Sequence, residues 1–228
     1  MDLDIHVSDR IGNVSGILLH PPDAVCLLAL AHGAGAGMRH RFMAAIAEAL
    51  AGQGIATLRY QFPYMEQGGR RPDPPAVLEA TVGAAVAAAR ERAPGLLLLA
   101  GGKSLGGRMT SGARARRPLD GVSGLVFLGF PLHPAKQPAV TRAEHLDRVD
   151  APMLFLQGTR DALADLELIT SVCQRLGARA TLHVVEGADH SFAVLKRSGR
   201  SDPEVLQELA LAVAGWSRAL PRARARVS

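Results

Sequence analysis

Cysteine is scarce in this chain: two in 228 residues, Cys26 inside an apolar run and Cys173 inside a helical pattern. That usage excludes a disulfide scaffold and a cysteine metal site, and leaves two buried thiols. Aromatics are nearly as sparse, nine in all and only one of them tryptophan. None is interleaved with the short basic cluster Arg114, Arg116 and Arg117, as a base-stacking groove would require, so that cluster reads as solvated surface. Lysine is almost absent, with three against 23 arginines. Long apolar runs are missing too: Val25–Ala31 and Leu96–Ala100 fall far short of the ~20 residues that cross a bilayer. Asp2 and Asp4 stand where a signal peptide would carry positive charge. The expectation is a soluble cytoplasmic protein, monomer or homodimer, with neither membrane nor nucleic acid as partner.

What is present is apolar bulk. Hydrophobic residues make up 48% of the chain, and a chain of this length can bury roughly 70–75% of its unfolded surface in one core without staples. Of the net charge of +5, Arg222, Arg224 and Arg226 supply three. The expected organisation is one domain over residues 1–220 and a basic, disordered tail over 221–228.

Short apolar runs alternate with helical periodicity, the pattern of a mostly parallel sheet with helices on both faces. Strands are predicted at Val25–Ala31, Ile55–Tyr60, Leu96–Gly101, Gly124–Phe130, Pro152–Gly158 and Ala180–Glu186. They are continuous rather than alternating, as strands covered on both faces should be. An antiparallel ribbon from Ser15–His20 and Ile5–Val7 is expected at the sheet edge, giving seven or eight strands. Helices are predicted at about 41–51, 76–92, 106–116 and 163–176. A last helix is marked by the stripe Leu206, Leu209, Val213, Trp216, Leu220 behind the capping box Ser201-Asp202-Pro203-Glu204.

One motif carries chemistry. Gly102-Lys103-Ser104-Leu105-Gly106 matches G-x-S-x-G between the most apolar strand and a helix, the setting in which a sharp turn lifts a serine above the sheet. A serine hydroxyl needs a base, and the base needs a third group to fix its tautomer. Asp161, in Gly158-Thr159-Arg160-Asp161, and His190, in Asp189-His190-Ser191-Phe192, follow the last two strands in the required order. Asp161 could otherwise cap the next helix. Asp165 is expected inside that helix, Asp150 at the wrong strand end, His183 in mid-strand, and Asp189 too close to His190 to reach its far nitrogen. His32-Gly33-Ala34-Gly35 follows the first buried strand, where an oxyanion loop belongs. Ala34 is the expected donor and Gly33 the runner-up, with the Leu105 amide as the second donor. Gly33, Tyr60, Tyr64 and His133 are the candidate substrate-binding residues, although aromatics at strand ends also simply pack. Arg59 and Lys103 could hold an anionic group or be solvated or paired.

This set of motifs, with Phe62-Pro63-Tyr64-Met65 and Phe127-Leu128-Gly129-Phe130-Pro131, resembles the α/β-hydrolase superfamily over about residues 15–218. It is most similar to the small, lidless, dienelactone-hydrolase-related branch. The resemblance implies Ser104 as nucleophile, His190 as base, Asp161 as acid, an oxyanion hole from Ala34 and Leu105, and no metal or organic cofactor. Dienelactone hydrolases proper carry Cys where this chain has Ser104, so their substrate does not transfer; a small ester or related acyl compound is expected instead. Relatives in animals serve as subunits of larger complexes, which makes a non-catalytic scaffold the alternative. A nucleotide-binding reading of Gly102-Lys103-Ser104 fails because a P-loop needs glycine where Leu97 stands.

Overall fold

The computed structural model describes residues 1–220; the proposed tail at 221–228 lies outside them. Its sheet has eight strands in the order β1-β2-β4-β3-β5-β6-β7-β8. The hairpin of β1 (Asp2–Ser8) and β2 (Gly12–Leu19) lies antiparallel at one edge. The remaining strands, β3 (Cys26–Ala31), β4 (Ile55–Tyr60), β5 (Leu97–Lys103), β6 (Val122–Leu128), β7 (Met153–Gly158) and β8 (Ala180–Val185), are parallel.

Every residue of β3, β4 and β7 is buried, and the reason is the two helix layers. On one face α3 (Pro75–Arg92), α4 (Leu105–Arg116) and α5 (Leu166–Leu176) cover Leu27, Ala29, Phe127 and Phe155. On the other, α1 (Arg41–Ala51) and α6 (Asp202–Arg218) cover Leu28, Leu30, Leu128 and Leu156. Alternate residues of one strand therefore feed different cores, and a strand apolar on both sides reads as an unbroken run. The exception is β8, an edge strand with only Val185 buried and its other residues half-exposed or exposed, rather than the doubly covered strand the sequence suggested.

The capping box of α6 forms, with Ser201 and Glu204 exchanging side-chain and backbone bonds. Trp216 packs partly buried on the second core, where a Cβ at Gly124 would lie 2.6 Å from its ring. Both thiols are buried, and desolvation pushes Cys26 up to about 12 and Cys173 to about 11. A short helix, α2 (Pro63–Glu66), follows β4. Between β6 and β7 the only helical segment is a 3-10 helix, Thr141–Arg148, whose Ala143 and Leu146 are buried in the first core. It packs on the body, and no lid stands over the rim among the described residues. None of the described helices is long and apolar enough to cross a membrane.

Candidate active site

Ser104 sits between β5 and α4 with φ 51° and ψ −114°, a conformation that residues with a Cβ seldom adopt. The strained turn is tolerated because the glycines around it allow close packing. A Cβ at Gly106 would meet the carbonyl oxygens of Ala31 and His32 at 2.6 and 2.7 Å. The turn projects the half-buried serine from the C-terminal rim of the sheet.

His190 and Asp161 converge on it from the loops after β8 and β7. His190 Nε2 lies 2.8 Å from Ser104 Oγ, and His190 Nδ1 lies 2.7 Å from Asp161 Oδ2. With a carboxylate at Nδ1, that nitrogen carries the proton, and Nε2 is left to accept from the serine hydroxyl. The Asp161 side chain is 1% exposed. Its carboxylate also accepts from Gln157 Nε2 at 2.5 Å and from the Leu163 amide at 2.8 Å. Burial alone would raise its pKa. The hydrogen bond and charge of His190, the Leu163 amide and the Lys103 charge outweigh burial and hold the carboxyl below its ordinary range.

The competing groups are engaged elsewhere. Asp165 is not inside α5 but caps it, accepting from the Glu167 and Leu168 amides. The capping role considered for Asp161 thus falls to Asp165. Asp189 Oδ1 accepts from the Ser191 and Ala193 amides and shapes the histidine turn. Asp150 pairs with Arg114, and His183 with Glu208. A second serine–histidine contact, Ser111 Oγ to His145 Nε2 at 2.7 Å, lacks the rest of the machinery. Ser111 is fully buried within α4 and bonded to the Arg108 carbonyl, and no carboxylate pairs with His145 among the described residues.

Gly33 lies against Ser104, whose Cβ is 3.6 Å from where a Cβ on the glycine would be. Beside it, Ala34 is exposed. Neither the Ala34 amide nor the Leu105 amide, which opens α4, has a hydrogen-bond partner among the described residues. The loop is held from behind by His32, which is fully buried and driven down to about 4 by desolvation. Its Nε2 accepts from the Phe62 amide at 3.0 Å, so Nδ1 carries the proton and donates to the Gly33 carbonyl at 2.8 Å.

The other substrate candidates have different surroundings. Tyr60, 1% exposed, is a core residue packed edge-on against Phe62, and burial raises its hydroxyl pKa; it does not line a substrate wall. Tyr64 is 4% exposed, packed on Phe62 and held by a bond from its amide to Asp73. His133 is a buried pin: Nε2 accepts from the Asp165 amide and Nδ1 donates to the Pro134 carbonyl, tying this segment to the loop that carries Asp161. Arg59 turns inward and donates to the Met38 carbonyl.

Two further residues shape the site in ways the sequence left open: of the readings offered for Lys103, the structure shows it paired, and Gly129 stands in the sequence only as part of a motif. Lys103 Nζ donates to the His190 carbonyl at 2.6 Å and lies within 6.0 Å of the Phe42 and Phe192 ring centres. Burial lowers its pKa to about 8, against the opposing pull of Asp161 and Asp189. Gly129, with φ 69°, closes the other side. A Cβ there would sit 3.1 Å from Lys103 Nζ and 3.5 Å from both Asp161 Oδ2 and His190 Cε1. The motif glycine signal, G-x-S-x-G, does not reach it; only the cluster Phe127–Pro131 hinted that this strand end is special.

Comparison with known proteins places these features in context. A family model described as an alpha/beta hydrolase domain matches residues 24–218. A lidless α/β serine hydrolase from Xanthomonas campestris superposes with TM-score 0.73 at 20% identity, over 97% of this chain and 96% of that one. A dienelactone hydrolase from Anabaena variabilis gives TM-score 0.73 at 22% identity, over 97% and 99%. The esterase domain of a Rhodothermus marinus protein gives TM-score 0.72 at 16% identity, over 96% and 98%. At these identities the likeness is one of fold.

Proposed function

This chain belongs to the alpha/beta hydrolase domain family, and we propose that it is a serine hydrolase cleaving an ester or related acyl bond of a small soluble substrate. The observation that carries the reading is the unbroken run of contacts from Asp161 through His190 to Ser104, beside two amides without partners among the described residues. Ser104 Oγ attacks the acyl carbon as His190 Nε2 takes its proton. The oxyanion is received by the Ala34 and Leu105 amides, which are fixed before the charge develops. Collapse of the intermediate releases the alcohol with the proton from His190, leaving an acyl-enzyme. Water, deprotonated by the same nitrogen, attacks the acyl-enzyme and releases the acid. Asp161 stays ionised throughout and supports the imidazolium. Gly33 borders the acyl position, and Tyr64 backs the same loop. The esterase and serine hydrolase neighbours support an ester substrate.

The test is labelling with a fluorophosphonate probe and mapping the attachment site by mass spectrometry. Ser104 should be the labelled residue, and Ser104→Ala should abolish labelling with an unchanged circular dichroism spectrum. Labelling at another serine would overturn the assignment of Ser104, and no labelling of the wild type would overturn the proposal and favour a scaffold.

A further inference from the structure

Away from the rim, α4 and the 3-10 helix Thr141–Arg148 enclose a half-open cleft of about 270 Å³. Its polar wall is formed by Arg108 and Arg116 from α4, Arg142, His145 and Arg148 from the 3-10 helix, and Glu79 from α3. Four guanidinium groups thus face one carboxylate. That carboxylate is already taken, since Glu79 Oε2 lies 2.7 Å from Arg116 Nε. Of the two acids on the 3-10 helix, Asp147 turns away to Arg175 at 3.3 Å, and Glu144 is exposed and does not line the cleft. Arg108, Arg142 and Arg148 form no ion pair among the described residues, and Arg108 Nε is buried without any hydrogen-bond partner.

Three uncompensated positive charges on one partly enclosed wall are unfavourable unless something neutralises them. The neighbouring groups register the field. His145 is pressed down to about 4 by burial and by Arg148, Arg108 and Arg116, and Arg108 is lowered by burial and by Arg142. A monocarboxylate would offset one charge, whereas a phosphoryl dianion offsets two and offers several acceptor oxygens to planar guanidinium forks. We infer that this cleft is a binding site for a phosphate or small phosphomonoester dianion, held between Arg108 on α4 and Arg142 and Arg148 on the 3-10 helix. The ligand would join the helix that begins at the nucleophile to the segment filling the place between β6 and β7. The binding does not depend on the roles proposed for Ser104, His190 and Asp161.

Isothermal titration calorimetry at low ionic strength tests it, with inorganic phosphate in one arm and phenyl phosphate in the other. Saturable one-site binding is expected, and Arg142→Gln/Arg148→Gln should weaken it at least about tenfold. These two side chains lie at the surface, so the fold should survive; Arg108→Gln is the second variant and should act in the same direction. Arg92→Gln, which removes an exposed charge elsewhere, should leave binding unchanged. Tighter binding of phenyl phosphate identifies a phosphomonoester as the ligand, and equal binding identifies free phosphate. Absence of saturable binding in the millimolar range, or equal loss in Arg92→Gln and the double variant, would overturn the site.

Discussion

At the scale of single residues, the histidine-bearing loop is held by groups with opposite electrostatic preferences. Asp161 is stabilised as an anion by His190, Leu163 and Lys103 despite burial. Asp161→Asn should therefore lower kcat by about 10⁴, because an amide favours the wrong imidazole tautomer. Asp165→Asn should be nearly silent, since asparagine also caps helices. Steady-state ester hydrolysis by both variants checks the assignment; a severe loss at Asp165 with a mild one at Asp161 would reverse it. Lys103 is a partly buried cation, and desolvation brings it from 10.5 to about 8. The fold thus binds fewer protons than the unfolded chain between about pH 8 and 10.5, and stability rises with pH across that interval. Below it, burying the charge costs roughly 3 kcal/mol. In urea titrations the wild type should gain on Lys103→Met as pH rises from 8 to 10.5; parallel curves would show that the charge is not desolvated.

Among elements, the decisive feature is the meeting of strand ends. The loops after β3, β5, β6, β7 and β8 all reach one rim, and in the proposed mechanism each contributes one part: amide, nucleophile, clearance, acid and base. The β3 loop acts through its backbone. Ala34→Pro should remove an N–H donor and lower kcat by about 10²–10³ or more, while Ala34→Ser should be mild. Equal damage in both would mean that the alanine methyl packs instead. The 3-10 helix Thr141–Arg148 belongs to this scale too. Its register on α4 brings His145 to Ser111 and Arg142 and Arg148 to Arg108, and so builds a charged cleft out of two unremarkable stretches of sequence.

For the molecule as a whole, the proposed esterase reading implies that a rim with no lid among the described residues should favour small substrates. Without a cover, a long acyl chain stays in water and forgoes about 0.8 kcal/mol per methylene. The kcat/KM for nitrophenyl esters should therefore fall from acetate or butyrate towards decanoate, with no rate jump above the micellar concentration. A rate that climbs through decanoate would reveal an enclosed acyl tunnel. Much of this architecture is determined by the sequence alone. The parallel strands are legible because two helix layers bury both faces and force unbroken apolar runs, and the serine turn is legible because its geometry demands glycine on either side. Ser104, Asp161 and His190 follow from chain order, since each must stand at a strand's C-terminal end. The tertiary structure decides what depends on distances between remote segments. It buries Tyr60 and turns His133 into a pin, because a strand-end aromatic can pack or line a wall with the same local sequence. It also sets Lys103 against the His190 carbonyl and gathers arginines 34 residues apart around one cleft. Local pattern encodes which face a residue occupies, whereas the approach of charges across the fold is fixed only when the elements pack.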